Sequence, residues 1–279
     1  MKRRVFFLGI LVVCLFLAAT SASVSSQAVI AKKLETAFVA KKPYPLVSQE
    51  MKGLTIDQAY EIQAEFVKLR EAKGEVPMGY KMGLSSAAAQ KRFGVTAPVL
   101  ATLFKSMFRW PGTLYQKNFA RMFIEPEIGF RFGKDITNPI EDVKSLRKAV
   151  AIVFPAVELP DIAFTDMKKI TGIDIIAANA VARKVLVGKA VAVRAKDLNA
   201  VTVKLLYNGK EITRGVGKNA MGNQWEALKW AINAVLARGG KIKNGDVIIT
   251  GILTKLTPAK PGRYVADYGD FGKIEFECK

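Results

Sequence analysis

Residues 121–133 read RMFIEPEIGFRFG, an apolar run broken by two acids one residue apart, Glu125 and Glu127. Phe123, Ile124, Ile128 and Phe130 mark a strand that is buried, at least in part, on both faces. Alternate residues of a strand share a face, so the two carboxylates point the same way, roughly 6–7 Å apart. Pro126 between them cannot donate to a ladder, which predicts an edge or bulged strand. Carboxylates this close repel each other in a low dielectric unless a cation lies between them. A second apolar run, VFPAVELPD at 153–161, carries one further acid, Glu158. Three such oxygens from two segments suit one side of an octahedral hard cation, Mg²⁺ or Mn²⁺, with room left for water and a bidentate substrate. The spacing alone equally fits a solvated sheet face with Glu158 in a surface ion pair.

Outward from these strands the texture divides in two. Residues 27–75 read as a helical portion. In LTIDQAYEIQAEFVKLREAKG, Thr55 stands three residues before Gln58 in capping-box spacing, a broad apolar face follows, and Gly74 ends the run. From residue 76 to 279 short β-branched and aromatic segments alternate with Gly, Asp and Asn, the pattern of a β-rich domain. Asn208-Gly209 predicts a two-residue hairpin, and GRYVADYGDFGKIEFEC a closing one. Two helices interrupt the strands: a short one in SAAAQKRFG, and NQWEALKWAINAVLARGG, with Trp225, Leu228, Ile232 and Val235 on one face. The fold class expected is α+β, β-rich, with a helical N-terminal portion.

The first 26 residues read as a secretory signal peptide: Lys2, Arg3 and Arg4, then an apolar stretch from Val5 to Ala19, then small residues. Its removal predicts a secreted or periplasmic protein, free of the membrane. The formal charge of +19 then falls by those three cations, 19 − 3 = +16. Cys14 leaves with the leader, so Cys278 has no partner for an internal disulfide. Lys and Arg are scattered along the chain without an aromatic-basic recognition pattern, which argues against nucleic acid and for small anionic partners. The chain contains no histidine. That excludes Ser-His-Asp and Cys-His nucleophilic catalysis, His-ligated zinc and His proton shuttles, leaving Glu, Asp, Lys, Tyr or water for acid–base chemistry.

The order of segments is more specific than any one of them. GYKMGLSSAAAQKRFGV (79–95), TLF (102–104), IEPEIGF, PAVELPD, DIIAANA (174–180) and the run from YNGKEITRGVG to GDVIITGIL resemble the 2-oxopent-4-enoate hydratase and 4-oxalocrotonate decarboxylase family of the fumarylacetoacetate hydrolase superfamily. The resemblance spans about residues 50–277. It implies the β-rich fumarylacetoacetate hydrolase fold, usually a homo-oligomer, with a divalent ion on the residues matching Glu125, Glu127 and Glu158. It further implies Lys81 as the catalytic lysine, its pKa lowered by burial and a nearby cation, and Leu84, Ser85, Asn179, Thr250 and Gly251 around a small anionic 2-oxo acid. For Thr250 and Gly251 the expectation is backbone groups facing the substrate carboxylate. The implied reaction is a hydratase or decarboxylase step on a 2-oxo or 2-hydroxydienoic acid through a metal-stabilised enolate. Two positions depart from the family's pattern: Val99 and Ala178 stand where acids are common. They motivate an alternative, an exported 2-oxo-acid binding protein without catalysis. An acylpyruvate-type hydrolase ranks below the lyases, because such enzymes commonly activate water with a His-Glu pair.

Overall fold

The computed structural model describes residues 25–193 and 197–279. The leader read over 1–26 lies outside this range but for its last two residues, and Ser25 already caps a helix. That helix, Ser26–Ala40, begins where the Ser25 hydroxyl accepts from the Ala28 amide at 3.2 Å and stops at Lys41, which adopts a left-handed conformation. The helix Ile56–Glu71 starts at the expected reciprocal box between Thr55 and Gln58. Leu34, Ile62 and Phe66 bury between the two helices and against Phe164, Ala177 and Val181. Each such side chain withdrawn from water contributes about 1.5–3 kcal/mol. The helical portion thereby clamps the segment 160–181, which carries one wall of the site described below.

Among the described residues the strands form a nine-stranded and a five-stranded sheet. Across the larger one the neighbours run Val99–Phe104, Pro77–Gly83, Val247–Ile249, Phe123–Phe132, Val150–Leu159, Lys184–Val187 and Phe108–Arg109. The smaller sheet holds Lys210–Val216, Thr202–Tyr207, Gly262–Asp267, Lys273–Cys278 and Thr113–Leu114. Asn208 and Gly209 both take positive φ, 48° and 81°, the tight hairpin their pairing predicted. Helix Gln224–Ala237 opens with the Asn223 side chain accepting from the Trp225 and Glu226 amides, and lays Trp225, Leu228, Ile232 and Val235 into the core. The Trp225 ring meets Phe130 edge-on at 5.3 Å.

Three expectations are corrected here. The glutamate strand Phe123–Phe132 is central, not an edge, being paired with Val150–Leu159 along one side. On its other side the ladder is interrupted over 125–128: Val247–Ile249 ends opposite Gly129, Thr257–Pro258 begins opposite Ile124, and between them Leu253 N–H donates to the Pro126 carbonyl at 2.9 Å. The proline thus sits where the neighbouring strand departs, and its missing N–H leaves nothing unpaired. Two further helices, Val143–Ala149 and Gly172–Ala177, replace segments read as strand or loop. With seven and six residues they are too short to show a helical period.

Candidate metal centre and active site

The strand register brings the three acids together. Glu125 pairs directly with Glu158 across the ladder, and Glu127 with Ala156. Paired residues share a face, and so do residues two apart, so all three carboxylates leave the sheet on the same side. One oxygen from each lies within 4.8 Å of the others. Glu127 and Glu158 are 0 % exposed. Glu125 is half-buried and forms the open side of the cluster.

Lys81 reaches this cluster from two strands away. It is in register with Ile249, which is in register with Gly129, and so stands on the carboxylate face. Gly129 leaves that face clear; a side chain there would collide with the Phe154 ring at 2.3 Å. The Lys81 ammonium, 3 % exposed, donates to Glu158 Oε1 at 2.5 Å and to the Ala180 carbonyl at 3.1 Å. Ala180 is the middle of three successive left-handed residues, with φ of 51° at Asn179, 41° at Ala180 and 53° at Val181. For residues with a Cβ this costs about 1–2 kcal/mol each, so the surroundings must impose it. Asn179 does part of that work: its Oδ1 accepts from Thr102 N–H and its Nδ2 donates to Thr102 O, both at 2.9 Å.

Two further groups fix Glu127. Gly251 N–H donates to Glu127 Oε2 at 2.7 Å. Gly251 has φ 102°, and a Cβ there would stand 2.4 Å from the Ser85 hydroxyl, so conformation and space both demand glycine. The Tyr268 hydroxyl accepts from Glu127 N–H at 3.1 Å and donates to Ala156 O at 2.5 Å. A tyrosine hydroxyl is therefore inserted between paired residues of the ladder and holds the two glutamate-bearing strands at a fixed spacing. Burial keeps that hydroxyl protonated, well above the usual tyrosine range.

Charge in the cluster is unbalanced. Three carboxylates face one ammonium, and among the described residues no partner reaches Glu127 Oε1 or Glu158 Oε2, although both are buried. Burial and the Glu158 carboxylate push Glu125 up to about 7. Burial, then Glu158 and Glu125, hold Glu127 well above the usual carboxylate range. Burial raises Glu158 too, against the pull of Lys81. Burial works to lower Lys81, but Glu158, Glu125 and Glu127 outweigh it and leave the ammonium above its ordinary value. With no cation bound, the protein's own carboxylates thus offset the lowering by burial that the sequence led us to expect. Orphaned buried oxygens, an acidic excess and an all-oxygen donor set fit a hard divalent cation, and the same features disfavour a soft one.

The remaining residues expected at the substrate fall into two groups. Ser85 lies against Gly251, whose amide meets Glu127, and so borders the cluster; Leu84 precedes it in a left-handed conformation, φ 51°. Asn179, Thr250 and Gly251 serve other partners. Asn179 holds the left-handed turn, the Thr250 hydroxyl donates to Gln224 Oε1 at 2.6 Å, and the Gly251 amide donates to Glu127. Gln224, 0 % exposed, in turn donates to Gly217 O at 2.6 Å and ties the Gly251 loop to the long helix. Tyr268, Gln224 and the Ala180 carbonyl escape sequence reasoning: a tyrosine in a turn, a glutamine in a helix and a backbone oxygen carry no signal of their own. Val99 and Ala178 are each 1 % exposed, and the Val99 side chain abuts Gly83 beside the 179–181 turn.

Comparison with known proteins agrees with this geometry. Residues 69–278 match the family model described as fumarylacetoacetate (FAA) hydrolase, C-terminal. A 2-keto-4-pentenoate hydratase of Burkholderia vietnamiensis is 31 % identical over 77 % of this chain and 83 % of its own. A 4-oxalocrotonate decarboxylase of Pseudomonas sp. strain CF600 is 28 % identical over 84 % and 89 %. The solved structure of 4-oxalocrotonate decarboxylase from Pseudomonas putida G7, complexed with magnesium and adipate, superposes with a TM-score of 0.86 at 25 % identity, covering 91 % of this chain and 97 % of that one. With its three glutamates in register around a buried lysine, the chain belongs to the fumarylacetoacetate hydrolase family and is a lyase of the hydratase and decarboxylase type.

Proposed function

We propose that the protein uses Mg²⁺ or Mn²⁺, held by Glu125, Glu127 and Glu158, to hydrate or decarboxylate a small 2-oxo or 2-hydroxydienoic acid. The observation that carries the reading is the convergence of three carboxylates within 4.8 Å, with two of their buried oxygens unpartnered. A cation bound there supplies positive charge for the keto and carboxylate oxygens of a 2-oxo acid and stabilises the negative charge that develops on the keto oxygen.

The chain's own residues supply the rest. Glu125 is the least buried of the three, so substrate enters from its side. An ammonium has three N–H donors. Lys81 spends two on Glu158 and Ala180 O, which leaves one for a substrate oxygen or for delivering a proton to the substrate. In the metal-free site its neighbours favour the charged ammonium, which suits Lys81 to act as cation and proton donor. Tyr268 and Gly251 set the position of Glu127 and take no part in proton transfer. Val99 and Ala178, both buried, stand where the family commonly has acids, so neither position supplies a carboxyl group.

Export and self-association belong to the same reading. The basic, apolar and small-residue layout of residues 1–26 supports export, tested by sequencing the N-terminus of the periplasmic or secreted protein. Light scattering of the purified protein tests for a homo-oligomer. For the reaction, purified protein is incubated with Mg²⁺ or Mn²⁺ and a panel of 2-hydroxydienoic acids, following loss of dienol absorbance. Product analysis for released carbon dioxide separates decarboxylation from hydration. No turnover across the panel, with metal demonstrably bound, overturns the proposal.

A further inference from the structure

A second polar cleft lies away from the carboxylates. Lys184 is in register with Leu159 and Arg109 with Leu186, positions that alternate with those sharing the face of Glu158, so both project from the opposite side of the sheet. With Lys41, Arg70 and Arg183 they line a cleft of about 300 Å³ in which Glu75 is the only acid. Behind the lining Glu35 stands 3.7 Å from Arg70 and Asp161 4.0 Å from Arg183, so among the described residues five cations face three carboxylates, a formal excess of 5 − 3 = two. Arg183 is 9 % exposed and is held by the Phe38 and Asn118 carbonyls at 2.7 and 2.9 Å, with Asp161 only at 4.0 Å. Arg70 pairs with Glu75 at 2.6 Å, yet its Nε is buried and, among the described residues, unpartnered. Lys41 and Lys184 have only neutral partners, Asn118 Oδ1 at 3.2 Å and Ser106 O at 2.7 Å. Arg109 touches only a carbonyl, that of Trp110.

Like charges crowded into one cleft cost free energy that an anion relieves. Burial, and then Arg183, Arg109 and Arg70, depress the Lys184 ammonium despite Glu75 nearby. The walls between the cations are apolar: Phe38, Met107, Leu114 and Phe119. The Phe38 ring stacks on two guanidiniums, Arg70 at 4.4 Å and Arg183 at 4.2 Å, which holds both cations in place beside the cleft. An inorganic anion leaves such walls unfilled; an organic body with a carboxylate at each end covers them and meets cations on both sides. We propose that this cleft binds a small organic dicarboxylate at a site separate from the metal centre.

The test is calorimetry of the full chain with succinate, in chelator so that no bound cation can draw the ligand to the glutamate cluster. Acetate and inorganic phosphate form parallel arms. The expected result is one succinate per chain, bound more tightly than phosphate or acetate and weakened by salt. Arg109→Ala and Lys41→Ala each remove an exposed cation and are expected to weaken succinate about tenfold, the loss of one charge-assisted hydrogen bond. Both variants are expected to keep the wild-type melting temperature and Mg²⁺ affinity, so that weaker binding reports on the cleft. Absence of succinate binding, phosphate bound as tightly as succinate, or variants that bind like wild type would each overturn the proposal.

Discussion

Replacing Lys81 by Met keeps most of the side-chain volume and removes the one cation from the carboxylate cluster. Glu158 Oε1 and the Ala180 carbonyl then lose their donor inside a site that is at most 3 % exposed at Lys81 and Glu158. Breaking a buried ion pair from one side costs about 3–5 kcal/mol. At about 2–4 °C per kcal/mol for a chain of this size, the melting temperature in chelator falls by about 10 °C. The loss depends on pH in a defined direction. The glutamates are already pushed upward, Glu125 to about 7, so at about pH 5 they take up protons and the missing cation matters less. At about pH 8 Glu125 is charged and more of the cost appears. Saturating Mg²⁺ replaces the missing positive charge and recovers most of the loss at the higher pH. Scanning fluorimetry of wild type and Lys81→Met, at both pH values and with and without Mg²⁺, measures all of this. A drop below about 2 °C in chelator, or an equal drop at both pH values, refutes the placement of Lys81 as counter-ion to the three acids.

Other perturbations follow from the same contacts. Gly251→Ala forces a Cβ at φ 102° to within 2.4 Å of the Ser85 hydroxyl; it is expected to cost about 1–3 kcal/mol and weaken Mg²⁺ binding, seen by urea unfolding and calorimetry. Tyr268→Phe strands Glu127 N–H and Ala156 O between the strands, an expected loss of about 2–4 kcal/mol, and unaltered stability would show that the hydroxyl does not bridge them. The wild-type protein in chelator is expected to lose stability as pH rises from 4.5 through about 7, since Glu125 binds its proton more tightly folded than unfolded. With saturating metal the slope reverses, because the ion competes with protons for the same oxygens, and a flat profile in chelator counts against the buried acidic cluster.

Much of this site was legible in the sequence because a strand has a fixed period. The single residue between Glu125 and Glu127 already implied a shared face, whereas acids in two apolar runs were compatible both with a cluster and with a solvated face. Which strands pair, and in what register, is a tertiary fact: only the structure shows Glu158 directly across from Glu125 and Lys81 reaching over Gly129. Pro126 misled because proline marks any place where a donor is absent, and here that place is a gap between two successive neighbours of a central strand. The balance at Lys81 was hidden for a related reason. Burial is visible in composition, but the three carboxylates that outweigh it come from other strands. The helix Gly172–Ala177 did leave a trace, Thr171 three residues before Asp174, and Asp174 also accepts from Ser48 N–H and Oγ to join the helical portion to the site wall. That link is how residues 26–71, distant from any substrate, stabilise the left-handed turn that presents Ala180 O to Lys81.

Whether the glutamate cluster is a metal centre is settled most directly by titrating the purified protein with Mn²⁺ and following the free ion by electron paramagnetic resonance, for wild type and for Glu125→Gln, Glu127→Gln and Glu158→Gln. The structure predicts one tight ion per chain, displaced by Mg²⁺, and an affinity reduced by each substitution, most at Glu127 and Glu158 because they are the fully buried pair. Tight binding that persists in all three variants, or wild-type protein that leaves Mn²⁺ free in solution, would contradict it.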